Sequence, residues 1–166
     1  MSTTDGAQAS TWLSQDAFNR LQAELDELIA NRPAVAAEIN ARREEGDLRE
    51  NGGYHAAREE QGKQEGRILY LKDFLRKAHV GEAPTSSTVA PGMVVTIQFD
   101  EDPDDTETFL LGSREISSTT ELTVYSPESA LGKAILDAKR GDAVTYTAPS
   151  GAEIKVTILS FEPFGG

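Results

Sequence analysis

The chain has 166 residues, of which 38% are hydrophobic and 27% charged, and this composition is typical of one globular domain or two small ones. No apolar run approaches the ~20 residues of a membrane-spanning helix, and residues 1–10 lack the features of a signal peptide. The absence of cysteine excludes disulfides and thiolate zinc sites and favours a cytoplasmic protein. The net charge of −12 argues against a general nucleic-acid-binding surface, because such surfaces need clustered Lys and Arg.

The charge is unevenly distributed along the chain. Residues 12–80 carry 11 basic and 13 acidic side chains, whereas residues 81–166 carry 5 and 14. We therefore place a boundary near residue 81, where a Pro-, Ser- and Thr-rich linker over residues 81–91 begins. Residues 1–11 are expected to form a disordered tail. Any contact with nucleic acid must be local or provided by a partner.

Residues 12–80 contain two segments in which the less polar residues alternate three and four apart, as in a heptad seam. Folding the chain about residue 49 or 50 places matching positions of these two segments opposite each other. This predicts an antiparallel coiled-coil hairpin roughly 40 Å long, with Ser14 capping its first helix and Pro33 bending it. The first seam is Phe18, Leu21, Leu25, Leu28, Val35 and Ile39, with the charged Arg32 in the slot between Leu28 and Val35; the second is Ala57, Gln61, Gln64, Ile68, Leu71, Leu75 and Ala78.

Residues 92–166 read as a small α+β domain. One helix is predicted over residues 131–139, and Pro149-Ser150-Gly151 is a hairpin turn between the last two strands. The pattern predicts a compact antiparallel sheet with one helix. The expected strands are residues 93–99, 106–113, 121–126, 143–148 and 153–161.

The predicted turn of the hairpin, residues 44–53, holds the acids Glu44, Glu45, Asp47 and Glu50. Carboxylates in an exposed loop can help to hold Mg²⁺, which prefers a few carboxylates together with water and substrate oxygens. A capping box, with Asp47 as N-cap and Glu50 at N3 of the second helix, explains the same spacing. The nearby arginines, which fit either a phosphate-binding site or a solvated helix face, are Arg42, Arg43, Arg49 and Arg58.

Residues 41–59, ARREEGDLRENGGYHAARE, closely match the signature of a known family. The match extends to residues 21–28 before the signature and to PESALGKAIL at residues 127–136 after it. The chain thus resembles the Gre-factor family of bacterial transcription elongation factors, which stimulate transcript cleavage, over essentially residues 12–162. The resemblance implies a coiled-coil hairpin followed by an FKBP-like domain.

The same resemblance implies a partner and a set of site residues. Gre factors dock at the rim of the secondary channel of bacterial RNA polymerase and place the hairpin tip beside its active centre, where the 3′ end of backtracked RNA is extruded. Asp47 and Glu50 match the tip acids that assist the polymerase's Mg²⁺, and Arg43 and Arg58 match a basic patch that contacts the RNA. The implied protein is a monomeric accessory factor, not an enzyme, and binds no metal in isolation.

Three positions depart from the common family pattern. Residues 52–53 are Gly-Gly where many members have Ala-Glu, Ala130 replaces a common Pro, and Asp137 replaces a common Gly. The last two lie in or beside the segment that the resemblance assigns to polymerase docking. The residues matching that segment are Ser126, Ser129, Leu131 and Gly132.

Two other functions remain open at this point. The first is a secondary-channel protein of the same shape that inhibits polymerase, although retention of both Asp47 and Glu50 favours cleavage. The second is a binding module or chaperone, or a prolyl isomerase by analogy of fold alone. Activity without polymerase would distinguish this second class.

Overall fold

The structure is a computed structural model and describes residues 11–46, 50–83 and 85–165. Its chain forms two compact units, one of Asn19–Lys77 and the other of the described residues within Met1–Phe18 and Ala78–Gly166. The unit boundaries fall inside the predicted hairpin, so residues at both ends of that segment belong with the sheet. The mixed helix-and-sheet class expected from the sequence is confirmed.

Three helices account for the helical unit: α1 (Gln15–Ala30), α2 (Arg32–Arg43) and α3 (Gly52–Lys77). Helix α1 begins after Ser14, whose Oγ accepts a hydrogen bond from the backbone N–H of Ala17 at 3.2 Å, which confirms the predicted cap. The break between α1 and α2 falls at Asn31, two residues before Pro33. Proline has no N–H to donate to the preceding turn, and the helix is interrupted close to Pro33, where the sequence predicted a bend.

The predicted seam is the buried stripe of the helical unit. Leu21, Leu25 and Ile39 are buried on the first side, and Ile68, Leu71 and Leu75 are buried on α3. Towards the tip, burial weakens, and α2 and α3 enclose a groove of about 620 Å³. Small or polar side chains line much of that groove, because the seam contains fewer large apolar residues there. The lining includes Ala34, Val35, Ala56, Ala57 and Gln64.

Two bidentate ion pairs connect the helices beside this seam. Arg32 binds both carboxylate oxygens of Glu65 at 2.9 Å, and Arg67 binds those of Glu24 at 2.8 and 3.0 Å. The pairs align planar guanidinium and carboxylate groups, a geometry that gives orientation as well as energy. The charged slot that Arg32 occupies in the predicted seam is therefore used for pairing across the hairpin.

The sheet unit has a five-stranded sheet made of β3 (Met93–Phe99), β4 (Thr106–Leu111), β5 (Thr123–Tyr125), β6 (Ala143–Thr147) and β7 (Glu153–Pro163). The strands lie side by side in the order β5-β4-β3-β7-β6. All five strands were predicted, and the turn at Gly151 joins β6 to β7 with Ala148 donating to Ala152 at 2.8 Å.

The expectation of a wholly antiparallel sheet is wrong at one edge. Strand β5 runs parallel to β4, with Phe109 opposite Thr123. The chain can reverse direction twice between these strands because a 3-10 helix, Arg114–Thr119, lies between them. The sequence prediction had no sign of this short helix, whose buried anchor is Ile116.

The main core lies between one face of the sheet and helix α4 (Ala130–Ile135). Helix α4 is shorter than the predicted 131–139, because Leu136 leaves the helical conformation and Asp137 follows with a φ of +67°. Val89, at the end of the predicted linker, is fully buried and exchanges two backbone hydrogen bonds with Asp137 and Ala138. The core residues include Val95, Ile97, Phe109, Leu111, Leu131, Ile135, Val156 and Ile158.

A second small sheet was not predicted from the sequence. Strand β1 (Thr11–Leu13) pairs in parallel with β2 (Ala78–Val80). The indole of Trp12 donates to the carbonyl of Gly81 at 3.2 Å and packs edge-on against Phe164. These contacts join residues that are far apart in the chain, so no local sequence pattern predicts them.

Asp137 provides a test of backbone strain in this unit. A φ of +67° is left-handed, a conformation in which glycine avoids the steric penalty of a Cβ. We expect Asp137→Gly to raise the free energy of unfolding by about 0.5 kcal/mol, the relief of strain being partly offset by greater freedom of the unfolded chain. Denaturant unfolding followed by Trp12 fluorescence measures this, and a lower midpoint would contradict it.

Candidate functional site at the hairpin tip

Asn51 connects the two helices at the tip of the hairpin. Its side-chain nitrogen donates to the carbonyl of Arg42 in the last turn of α2, and its side-chain oxygen accepts from the N–H of Tyr54 at 2.9 Å. Helix ends leave backbone groups without partners, and an N-cap side chain supplies one. Asn51 serves both helix ends with one side chain, so it holds the two ends of the tip together.

The role of Asn51 corrects one reading of the tip acids. Helix α3 begins at Gly52 after Asn51, so Glu50 precedes the cap and does not occupy the N3 position of a capping box. Glu50 is exposed, and its side chain makes no hydrogen bond or ion pair with another described residue. Its carboxylate is therefore available to a ligand. Asp47, the other predicted tip acid, lies outside the described residues, as does Arg49.

Replacement of Asn51 tests this connection. We expect Asn51→Ala to lower the stability of the helical unit by about 1–2 kcal/mol, because a cap and a cross-helix hydrogen bond are lost together. Asn51→Asp keeps the acceptor for Tyr54 and loses the donor to Arg42, so its effect should be smaller. Thermal unfolding followed by far-UV circular dichroism measures both variants. Equal stability of Asn51→Ala and the parent protein would show that the connection is not stabilising.

The arginines near the tip fall into two groups. Arg42 is engaged by two carboxylates, Glu38 at 2.9 Å and Glu45 at 3.5 Å. By contrast, Arg43 and Arg58 are exposed and make no ion pair with any described residue. Because their positive charges are not neutralised by neighbouring carboxylates, these two are the better candidates for an anionic ligand.

Tyr54 brings Arg43 and Arg58 together. The guanidinium carbon of Arg43 lies 5.8 Å from the centroid of the Tyr54 ring, and Arg58 donates to the Tyr54 hydroxyl at 3.3 Å. The guanidinium of Arg43, and to a smaller extent that of Arg58, holds the pKa of the Tyr54 phenol below its usual value. The sequence prediction named both arginines and missed Tyr54. Its spacing of four residues from Arg58 on one helix face was the available signal.

Two of the predicted docking residues, Ser126 and Ser129, form a tight turn before α4, and a third, Gly132, lies in the first turns of α4 against it. The Ser126 hydroxyl accepts from the N–H of Glu128 at 3.0 Å, and the Ser129 hydroxyl donates to the Ser126 carbonyl at 2.7 Å. Ser129 also caps α4 by accepting from the N–H of Gly132 at 3.0 Å. A Cβ on Gly132 would lie 2.1 Å from the Ser126 carbonyl oxygen, so only glycine fits.

Leu131, the fourth predicted docking residue, has 5% of its surface exposed and belongs to the main core. Leu131 and Gly132 are both buried, so neither offers side-chain surface to a partner. These two residues anchor the segment to the main core from its buried side. Ser126 and Ser129, which are partly exposed, are the two of the set that a partner can reach.

Neither a metal cluster nor a membrane segment is found among residues 11–46, 50–83 and 85–165. No group of three or more His, Cys, Asp or Glu side chains there comes close enough to hold a metal ion. No helix in the same part of the chain is both long and apolar enough to span a bilayer.

Comparisons with known proteins match both units. A family described as the N-terminal part of transcription elongation factors matches residues 11–80, and one described as the C-terminal part of GreA/GreB matches residues 84–163. A transcription elongation factor GreA from Mycolicibacterium smegmatis is 63% identical over 158 residues, covering 94% of this chain and 96% of that protein. Another from Rhodococcus erythropolis is 60% identical over 156 residues, covering 93% and 95%.

A crystal structure of the GreA factor homolog Gfh1 from Thermus thermophilus has 21% identity and a TM-score of 0.41, covering 92% of this chain and 99% of that one. The two matched families together account for nearly the whole of this chain: the first covers helices α1 to α3, and the second covers the five-stranded sheet with helix α4. The chain belongs to the GreA/GreB family of transcription elongation factors.

Proposed function

We propose that this chain is an accessory factor of bacterial RNA polymerase that stimulates cleavage of backtracked RNA and acts as a cytoplasmic monomer. The family membership supports polymerase as the partner. In this proposal residues 92–166 dock at the rim of the secondary channel through the segment of Ser126 and Ser129. The hairpin then enters the channel and brings its tip to the extruded RNA 3′ end.

The observation that carries the proposal is the state of Glu50. Its side chain is exposed and forms no ion pair with a described residue, while Asn51 performs the capping that would otherwise occupy an acid. An exposed carboxylate without an ion-pair partner suits Mg²⁺, which takes few protein ligands and keeps several waters. Glu50 and Asp47 would hold the metal together with polymerase groups. When bound there, Mg²⁺ activates water for phosphodiester hydrolysis.

The residues of this chain then have separate tasks. Glu50 and Asp47 position an ion and its water, whereas Arg43 and Arg58 bind phosphates of the extruded RNA. The net charge of −12 is compatible with this arrangement because affinity comes from contacts with protein, and the basic surface needed is confined to the tip.

The test uses stalled, backtracked elongation complexes incubated with the full chain and Mg²⁺. We expect short 3′ RNA fragments to be released and elongation to resume, with no cleavage of the same RNA when polymerase is omitted. Slower elongation without fragments would identify an inhibitor instead. Hydrolysis or isomerase activity without polymerase would contradict an accessory role.

A further inference from the structure

Three side chains from two helices meet at one place on the tip. Arg43 is the last residue of α2, while Tyr54 and Arg58 lie one turn apart near the start of α3. Tyr54 contacts one guanidinium with its ring and the other with its hydroxyl, at the distances given above. The three groups therefore form one cluster, which we call the Tyr54 cluster.

No described carboxylate forms an ion pair with either arginine of this cluster. Arg32, Arg42 and Arg67 each bind a carboxylate of the same unit. In the Tyr54 cluster the two arginines have only neutral partners among the described residues: Tyr54, and Asn40, whose side-chain oxygen accepts from Arg43 at 3.4 Å. Two like charges held on one neutral side chain repel each other, and an anion between or beside them removes that repulsion.

We propose that Tyr54 is a positioning residue that holds Arg43 and Arg58 as a two-armed clamp for the phosphodiester backbone of single-stranded RNA. The inference rests on the proposed function, which supplies the RNA, and the phosphate chemistry follows from the guanidinium groups. Planar guanidiniums bind phosphate oxygens through paired hydrogen bonds, and Arg side chains lose much rotamer freedom when they do so. Tyr54 restricts both side chains beforehand and so lowers that loss.

Tyr54 is assigned positioning rather than base stacking because of where Arg43 lies. The guanidinium occupies a place over the ring within the range of a cation–π contact. His55 packs edge-on against the same ring, with centroids 5.3 Å apart. The hydroxyl is the polar group of Tyr54 that fixes Arg58, so removal of this one oxygen separates the two arms of the clamp.

The decisive variant is Tyr54→Phe, which keeps the ring under Arg43 and removes the acceptor of Arg58. On RNA extruded far enough to reach the clamp, we expect roughly a tenfold loss of stimulated cleavage, because a hydrogen bond to a charged group is lost. On RNA extruded by only a few nucleotides the rate should be unchanged. Arg58→Ala should show the same dependence on RNA length, and the double variant should lose no more than Arg58→Ala alone.

A matched control is Tyr70→Phe, the same change further along α3. Tyr70 also has an arginine over its ring, Arg67 at 5.5 Å, but it is remote from the tip in sequence. This variant should leave cleavage of long and short extruded RNA unchanged. Equal losses on both RNA lengths for Tyr54→Phe would indicate a merely structural role and overturn the inference.

A second measurement tests the cluster without polymerase. In an alkaline titration followed by phenolate absorbance, the difference between the parent protein and Tyr54→Phe isolates one of the four tyrosines. Arg43 and Arg58 lower the pKa of Tyr54, while burial raises the pKa of both Tyr125 and Tyr146. Tyr54 should therefore ionise before those two, and Arg58→Ala should raise its pKa.

The two measurements separate the possible failures. If the pKa of Tyr54 is not lowered and does not change in Arg58→Ala, the cluster itself is overturned. If the pKa of Tyr54 is lowered as expected but Tyr54→Phe still stimulates normal cleavage of long extruded RNA, the positioning role is overturned and the proposed function stays intact. If the parent protein stimulates no cleavage at all, the proposed function fails and the RNA clamp fails with it, whatever the titration gives.

Discussion

Glu50→Gln should lower polymerase-dependent RNA cleavage by on the order of a hundredfold, because a neutral amide is a much poorer magnesium ligand than a carboxylate. The substitution keeps the size of the side chain and leaves the cap at Asn51 in place. Binding to polymerase should therefore survive. The measurement is the rate of fragment release from backtracked complexes at saturating factor, together with the affinity for polymerase.

Glu44→Gln is the matched control for this change. Glu44 is also an exposed acid at the tip, at the C-terminal end of α2, and it does not match a tip acid of the family. It should retain nearly full activity. Similar losses for Glu44→Gln and Glu50→Gln would indicate that total negative charge, and not a particular carboxylate, matters. Asp47→Asn should behave like Glu50→Gln.

Loss of binding in the Glu50 variant would point to another role for this residue. Structural stabilisation of the tip would then be its main contribution, and the metal-binding proposal would have to be withdrawn. Circular dichroism of the variant distinguishes the two cases, because a destabilised hairpin loses helical signal at lower temperature.

Gly132→Ala should produce the largest loss of stability among single methyl additions to the sheet unit, about 3 kcal/mol. The new Cβ would meet the Ser126 carbonyl oxygen at 2.1 Å and the Cα of Pro127 at 2.9 Å. Both are backbone atoms, so no side chain can rotate away and the turn itself must shift. Trp12, the single tryptophan, is buried in this unit and reports its unfolding by fluorescence.

Gly62→Ala provides the opposite case within α3. Nothing lies within 4 Å of a Cβ at Gly62, which is exposed in the middle of the helix. Alanine there should stabilise the helical unit by up to about 1 kcal/mol. If Gly132→Ala were as harmless as Gly62→Ala, the close approach at the turn would be disproved. A displaced turn should also weaken polymerase binding, since Ser126 and Ser129 move with it.

Much of this fold follows from local and periodic patterns. The seam residues repeat every three or four positions, and a helix places such residues on one face, so burial of Leu25 and Ile68 followed from spacing alone. Strands β3, β6 and β7 followed from β-branched residues between turn signals. The tip motif identified the family because its acids, arginines and turn residues lie close together in the chain.

Such patterns did not predict how the elements and turns pack against one another. Pairing of β1 with β2 depends on two segments at opposite ends of the helical unit meeting in space. The parallel edge strand β5 and the close approach of Gly132 to Ser126 depend on the path of short connections that carry no periodic pattern. At the tip, the spacing of Asp47 and Glu50 suited both a capping box and a metal site. The structure shows that Asn51, between the two helix ends, is the cap of α3, so Glu50 is not needed for capping. Periodicity reports which face of an element is buried, whereas partner choice depends on three-dimensional proximity, which sequence spacing does not encode.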